Sequence, residues 1–125
     1  MIEKKDLSVR VVAEVCSVYA ERNEALINAG VIAMSREASA FPGFGILVDK
    51  PDWHIVRLSQ EHGILGLPTK EAAANGGKAL DNFQVGQKVQ LYCQHTCITA
   101  AAFHVYYVVD ENDIVCDTWI PWKGW

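Results

Sequence analysis

The sequence predicts a mainly β domain, an antiparallel sandwich or barrel with little helix. Three observations support this prediction. Short apolar runs rich in valine and isoleucine recur along the chain, turn residues separate them, and only the piece KEAAAN has the composition of a helix. Short strands with frequent turn signals and almost no helix are typical of all-β sandwiches and barrels.

The first half of the chain carries most of the predicted strands. Ser8–Tyr19 is rich in valine and alternates in part, and Leu26–Ser35 is a second apolar run with Gly30 inside it. A glycine inside such a run is typical of a bulge or of a close backbone approach. The turn FPGFG precedes the short strand GILVD, and Trp53–Gln60 alternates between large apolar and polar residues, which indicates a half-buried strand.

The second half begins with a weaker pattern. Gly66–Gln84 contains Pro68 and two adjacent glycines, which predicts a long surface loop with at most one helical turn. Strand character resumes at Val85–Cys93. The last two apolar runs, FHVYYVV and IVCDTWI, flank the polar stretch DEND, and this order predicts a hairpin.

Length and charge restrict the class of protein. The chain has 125 residues, half of them apolar, a net charge of -4 and a pI of about 5.5. We therefore expect one domain spanning residues 1–125. Because no stretch concentrates lysine or arginine and no apolar run approaches the ~20 residues of a membrane span, we expect no nucleic-acid or membrane partner. The N-terminus lacks the apolar core of a signal peptide, so the expected location is the cytoplasm.

The cysteine pattern favours free thiols or metal ligands over disulfides. The chain is neither cysteine-dense nor marked for export, which are the usual settings of disulfide frameworks. The four cysteines are Cys16, Cys93, Cys97 and Cys116. Cys16 and Cys116 lie in apolar runs, and we expect them to be small buried side chains.

His95 and Cys97, in the segment QHTC, are the best candidate metal ligands. In an extended segment, residues two apart leave the same face of the strand at about 6–7 Å, so an imidazole and a thiolate can reach one ion. Cys93 would share that face, but it lies too far along the strand for one ion to hold all three residues. The HxC spacing alone is common by chance, and a histidine and a cysteine packed at a strand end remain the alternative.

The remaining chemically active side chains carry weaker signals. Glu61 and His62 are weak catalytic candidates at a strand end, and adjacent strand residues point to opposite faces, which argues against a simple dyad. His54 and His104 lie in apolar patterns typical of a core or polar-face histidine. We expect the tryptophans to add core or interface surface, and they are Trp53, Trp119, Trp122 and Trp125.

Several segments together resemble a known family. The runs VGQKVQLYCQHTCITAAAF and YYVVDENDIVCDTWIPWKGW resemble the end of eukaryotic-type D-serine dehydratases, which are related to metal-dependent D-threonine aldolases. Upstream, AEVCSVYAERNEALINAGVIAMSRE and VRLSQEHGIL are similar to the same C-terminal domain, most closely to that of fungal members. The resemblance covers nearly the whole chain and is weakest over Gly66–Gln84.

The resemblance implies an alanine-racemase-like architecture of fold type III. In the family, an N-terminal barrel binds pyridoxal phosphate, a C-terminal β domain follows, and the enzyme is expected to be a homodimer. A His-x-Cys pair near the end of the β domain holds zinc beside the cofactor, and it maps onto His95 and Cys97. The implied reaction converts D-serine to pyruvate and ammonia, with zinc assisting departure of the β-hydroxyl. D-threonine aldolases typically have Asp at the position of Cys97, which favours the dehydratase branch.

This sequence departs from the family in two ways. Position 93 is often proline in the family and is Cys93 here. The pyridoxal-phosphate barrel and its reactive lysine have no counterpart in these 125 residues, so we expect the chain alone to be inactive and to act as part of a larger enzyme. The alternatives are a stand-alone β domain that binds a metal or a partner, a domain of a D-threonine aldolase-type lyase, and an inert module in which HxC is accidental.

Overall fold

The structure, a computed structural model, describes residues 1–124. The strands are β1 (Val11–Tyr19), β2 (Glu24–Ile27), β3 (Gly45–Leu47), β4 (His54–Leu58), β5 (Gly63–Gly66), β6 (Lys88–Cys93), β7 (Tyr106–Val109) and β8 (Val115–Trp119). The helices are α1 (Val31–Met34), α2 (Lys70–Asn75), α3 (Ala79–Asn82) and α4 (Thr96–Ala101).

Six of the strands form a closed antiparallel barrel. Their order around the barrel is β1-β2-β5-β4-β3-β6, and β6 pairs with β1 to close it. A closed barrel leaves no strand edge unpaired. The predicted mainly β, antiparallel fold is therefore confirmed. Of the two predicted architectures, the structure has the barrel and not the sandwich.

The barrel interior is the hydrophobic core. Along β1 the side chains of Val11, Ala13 and Val15 are buried while those between them are exposed, as expected for a strand with one face inside a barrel. Ile27 and Leu91 from other strands fill the same interior and are fully buried. The alternating pattern read from the sequence thus corresponds to inward and outward positions.

Two elements differ from the prediction. Leu26–Ser35 is not one apolar strand, because β2 ends at Ile27 and the chain then forms α1. Gly30, at the start of α1, lies against the backbone of Ser59 and His62, where a Cβ atom would meet backbone atoms at 2.5 Å. The glycine therefore marks the expected close backbone approach. The strand β5, which the sequence did not predict, follows β4 along the chain and pairs with β2 and β4 in the barrel.

The segment 66–84 is not simply a surface loop. It contains α2 and α3, joined by Gly76, Gly77 and Lys78. The predicted helical piece KEAAAN is α2, and Thr69 caps it by accepting a hydrogen bond from the Ala72 N–H. Ala79 and Phe83 are buried in the barrel core. The prediction failed here because two short helices with few apolar residues give too weak a periodic signal.

The predicted C-terminal hairpin is present as a separate two-stranded sheet. It consists of β7 and β8, and every residue of β8 is exposed. The expected burial of Cys116 is therefore wrong, and Cys16 on the outer face of β1 is exposed as well. Trp53 is a core residue, whereas Trp119 and Trp122 are exposed, and Trp125 lies outside the described residues.

The helices within residues 1–124 are all short. None has the length and apolar character that a membrane-spanning helix requires.

Candidate functional site

One end of the barrel holds both the candidate metal ligands and the weak catalytic candidates. Strands β4 and β6 both run antiparallel to β3, so their last residues, Leu58 and Cys93, lie at the same end. The chain leaving β6 enters α4, and the chain leaving β4 forms the tight tip Ser59–His62 before β5. We refer to this end as the α4 end. The opposite end is covered by α2 and α3.

The candidate metal pair lies at the start of α4 and not in an extended strand. His95 is the residue that precedes the helix, and Cys97 is the second residue inside it. The Thr99 N–H donates to the His95 carbonyl at 3.1 Å, which starts the helix at this point. The prediction of a shared strand face for His95 and Cys97 is therefore wrong in its geometry, because the strand ends at Cys93.

Both side chains of this pair are available for a ligand. His95 and Cys97 are exposed, and Cys97 is a free thiol. The His95 side chain does not cap α4, and neither the imidazole nor the thiol hydrogen-bonds to another side chain within residues 1–124. An imidazole nitrogen and a thiolate sulfur are both preferred zinc donors.

Cys93 occupies a different environment. It is the last residue of β6, is half buried and packs against the barrel core. Its Sγ atom lies 3.8 Å from the Thr96 Oγ1 atom. The thiol thus contacts the first residue of α4 while its side chain belongs to the core.

The donor set fits part of a zinc coordination sphere. A structural zinc site requires four protein ligands, whereas a catalytic site keeps positions open for water or substrate. Among residues 1–124 no group of three His, Cys, Asp or Glu side chains is arranged to hold a metal. His95 and Cys97 therefore fit an open site whose further ligands come from water, substrate or another part of a larger protein.

The weak catalytic candidates Glu61 and His62 lie at the same barrel end. Both are exposed in the tip between β4 and β5. Backbone hydrogen bonds hold the tip: the Ser59 N–H donates to the His62 carbonyl at 2.9 Å, and the Val31 N–H donates to the Ser59 carbonyl at 2.9 Å. Glu61 and His62, together with Asn28, line an open depression of about 300 Å³. No hydrogen bond joins the Glu61 and His62 side chains within residues 1–124. This agrees with the sequence analysis, which argued against a dyad.

The helix α1 connects the two parts of this end. Its backbone receives the tip Ser59–His62, and it also packs against α4. The buried Thr99 hydroxyl donates to the Met34 carbonyl at 3.0 Å, which joins α4 to the last residue of α1. Helix α1 thus contacts both the tip and the helix that carries the candidate metal pair.

Gln94 is a residue that the sequence did not single out. Its Nε2 group donates to the carbonyls of Phe41 and Gly43, at 2.7 Å in each case. His54, which the sequence predicted to be a core or polar-face histidine, is buried, and its Nδ1 atom lies 2.6 Å from the carbonyl oxygen of Pro42, the residue between them. The hydrogen bonds of Gln94 could not be predicted from the sequence pattern, because its partners lie about fifty residues away along the chain.

Two buried polar atoms at this end lack a partner among the described residues. They are the Gln94 Oε1 atom, one residue before His95, and the Ser35 Oγ atom, one residue after Met34. Ser35 also has φ 64° and ψ 172°, a region in which residues other than glycine are strained. Strained backbone and unsatisfied polar atoms concentrate at functional sites, which supports the α4 end as the candidate site.

His104 and the remaining cysteines lie apart from this arrangement. His104 is exposed and precedes β7, so it is neither a core histidine nor part of a strand.

Comparison with known proteins identifies the family. The family model described as "Putative serine dehydratase domain" matches residues 8–109. D-serine dehydratase of Schizosaccharomyces pombe is 44% identical over 99% of this chain, and that of Saccharomyces cerevisiae is 35% identical over 99%. The chain spans 29% and 30% of the length of these two relatives.

Solved structures agree with the sequence relatives. A histidine-to-alanine variant of D-threo-3-hydroxyaspartate dehydratase matches with a TM-score of 0.77, at 26% identity, over 97% of this chain and 33% of that one. A cysteine-to-alanine variant of that enzyme in the metal-free form matches with a TM-score of 0.78, at 27% identity, over 97% of this chain and 34% of the other. The alanine-racemase-like fold expected from the resemblance is thereby confirmed, and the chain belongs to the serine dehydratase domain family.

Proposed function

We propose that this chain is the zinc-binding C-terminal domain of a pyridoxal-phosphate-dependent D-serine dehydratase. The observation that carries the proposal is the presentation of His95 and Cys97, two exposed zinc donors without internal partners, at the start of α4. The fungal relatives that match the chain over 99% of its length are D-serine dehydratases.

The spacing of the pair supports a shared metal site. The histidine and the cysteine substituted in the two solved hydroxyaspartate dehydratase variants are two positions apart, as are His95 and Cys97, and the cysteine variant is in the metal-free form. Zinc bound to this pair would supply Lewis acidity toward a substrate hydroxyl. His95 and Cys97 would hold it as a neutral imidazole and a thiolate, with the remaining positions open.

Among residues 1–124, no lysine has the environment expected of the residue that reacts with pyridoxal phosphate. A lysine that reacts with the cofactor needs a positioned and usually desolvated amine. Within residues 1–124, Lys50 is half buried with its Nζ atom 5.9 Å from the centre of the Phe83 ring, at the end of the barrel opposite α4, and the other lysines are exposed. We therefore assign cofactor binding to another domain of the larger enzyme and expect the isolated chain to be inactive.

The substrate would be a D-amino acid with a 3-hydroxyl group. A D-threo-3-hydroxyaspartate dehydratase from Delftia is 29% identical over 97% of the chain, which makes a β-hydroxy-aspartate the second candidate substrate. The higher identities of the fungal D-serine dehydratases favour D-serine. Rates measured on both substrates with the complete enzyme would decide between them.

The test uses the complete enzyme that contains this domain. His95→Ala and Cys97→Ala should each remove bound zinc, measured by elemental analysis, because neither residue alone holds the ion. Elimination from D-serine should fall by orders of magnitude, since hydroxide leaves poorly. β-Chloro-D-alanine, whose chloride leaves readily, should be affected far less.

Cys16→Ala is the matched control, because Cys16 is an exposed thiol on the outer face of β1. It should retain zinc and activity. Unchanged zinc content in both His95→Ala and Cys97→Ala would exclude this pair as the metal site. Equal loss on the two substrates would mean that the metal holds the site together and does not assist departure of the hydroxyl.

A further inference from the structure

We propose that Gln94 and Thr99 are positioning residues that fix α4 from both sides, so that His95 and Cys97 are presented together to one metal ion. The inference rests on the proposed metal pair. It adds two residues that do not contact the metal and that determine where its ligands lie.

Gln94 fixes the entry to α4. The chain passes from the end of β6 at Cys93 to His95, the residue that precedes α4, through Gln94 alone. Both hydrogen atoms of the Gln94 side-chain amide are used, because Nε2 donates to the carbonyls of Phe41 and Gly43. This pattern sets the orientation of the amide, since the nitrogen and not the oxygen must face two carbonyls.

The turn that Gln94 grips is itself fixed. Gly43 has φ 83°, and a Cβ atom at this position would meet the Ile55 carbonyl oxygen at 2.4 Å, so the turn packs directly on β4. The Phe44 N–H donates to the same Ile55 carbonyl at 2.8 Å. Gln94, the residue before His95, is therefore attached through this turn to the barrel strand β4.

Thr99 fixes the helix beyond Cys97. Its side chain is 1% exposed, and its hydroxyl donates to the Met34 carbonyl in α1. The same residue donates its backbone N–H to the His95 carbonyl. Thr99 is thus bonded both to Met34 in α1 and to His95, the first proposed metal ligand. It lies two residues after Cys97, the second proposed ligand.

The two exposed ligands lie between the partly buried Gln94 and the buried Thr99. A metal site with ligands already in place does not have to order them on binding, and this favours affinity. Substitution of a group that orients a metal ligand without contacting the ion typically lowers metal affinity by about 10–100-fold. We expect a loss of about this size for each attachment.

The experiment measures metal binding by the complete enzyme. Gln94→Met keeps the length of the side chain but removes both donors, and Thr99→Val keeps the shape but removes the hydroxyl. Each should weaken zinc binding by about 10–100-fold in competition with a chelator. In the cobalt-substituted enzyme, the thiolate charge-transfer band of Cys97 should weaken or shift.

Two further variants separate positioning from general stability. Gln90→Met is the matched control, because Gln90 lies four residues earlier on β6 and bonds to Arg10 and Asp113, away from the pair. It should leave zinc affinity and the cobalt spectrum unchanged. Thr99→Ser restores the hydroxyl and should restore both readouts toward those of the unsubstituted enzyme.

The outcomes distinguish this inference from the proposed function. Wild-type zinc affinity and cobalt spectrum in a folded Thr99→Val enzyme would overturn the role of Thr99, and the same result in Gln94→Met would overturn that of Gln94. A lower unfolding temperature without a change in either metal readout would show that the residues are only structural. If His95→Ala and Cys97→Ala also bind zinc normally, the proposed metal pair itself is wrong.

Discussion

The indole N–H of Trp53 donates to the carbonyl of Gly76 at 2.9 Å. This bond joins the residue before β4 to the link between α2 and α3. The Trp53 ring also packs edge to face against Phe83, with ring centroids 4.9 Å apart. The segment 66–84 is therefore attached to the core by a polar contact and an aromatic contact at the end of the barrel opposite α4.

Substitution of Trp53 should show that this segment is part of the folding unit. Trp53→Ala removes a fully buried side chain and should lower the free energy of unfolding by about 3–5 kcal/mol. Trp53→Phe keeps an aromatic ring but loses the N–H donor, and we expect a smaller loss of roughly 1–3 kcal/mol. Urea unfolding followed by far-ultraviolet circular dichroism measures both. A cost below about 1 kcal/mol for Trp53→Ala would contradict the observed burial.

Asn23 should be difficult to replace because it combines a left-handed backbone with two hydrogen bonds. It has φ 53°, accepts a hydrogen bond from the Ala79 N–H at 2.6 Å and donates to the Gly77 carbonyl at 3.2 Å. Asn23→Gly loses the hydrogen bonds but also removes the Cβ atom from the left-handed region. Asn23→Ala loses the same bonds and keeps a Cβ atom there without the polar side chain that lets asparagine tolerate this region, at a cost of roughly 1–2 kcal/mol.

Asn23→Ala should therefore be the less stable of the two variants by about 1 kcal/mol, after allowing for the greater unfolded-state entropy of glycine. Thermal unfolding of both variants side by side measures the difference. An alanine variant that is more stable than the glycine variant would argue against the left-handed conformation.

Gly43 and Gly86 form a matched pair that separates backbone strain from packing. Both have positive φ, 83° and 88°, but an added Cβ atom at Gly43 would meet the Ile55 carbonyl oxygen at 2.4 Å, while at Gly86 the nearest atom is 3.9 Å away. Gly86→Ala should cost about 1–2 kcal/mol from strain alone. Gly43→Ala should cost a further 1–3 kcal/mol or so from overpacking. Equal unfolding free energies for the two variants would mean that the turn moves away from β4 without cost.

The ion pair of Arg57 and Glu24 should contribute little and should not depend on pH near neutrality. The Nη2 group of Arg57 donates to the Glu24 carboxylate at 2.8 Å, and this hydrogen bond, with the attraction of the opposite charge, raises the pKa of Arg57 above its ordinary value. A raised pKa in the folded state contributes stability that is fully present below the unfolded pKa. That stability is lost only in strong alkali.

Arg57→Met should therefore lower the free energy of unfolding by at most about 1 kcal/mol, because the Arg57 side chain is 59% exposed. The difference from the unsubstituted protein should be the same at about pH 6 and pH 9 and should shrink at about 1 M salt. Chemical unfolding under these conditions measures it. A difference that grows between these pH values would assign the effect to a group other than Arg57.

The sequence by itself determined the type of fold and the family. Alternation along Val11–Val15 reflects a strand with one buried face, and this pattern is a local property of neighbouring residues. The polar stretch between the last two apolar runs likewise determined the hairpin, because its turn is formed by adjacent residues. The resemblance rested on runs of residues in order, which the family match over residues 8–109 confirms.

Tertiary structure decided how these pieces assemble around the candidate site. The sequence placed His95 and Cys97 in an extended segment, yet the strand ends at Cys93 because α4 packs on α1 and Thr99 reaches the Met34 carbonyl. The joining of strands into a closed barrel, the burial of Phe83 and the grip of Gln94 on Phe41 and Gly43 depend on contacts between distant residues. Local periodicity records which face of an element is apolar, but not which partner covers it, so these relationships appear only when the whole chain is folded.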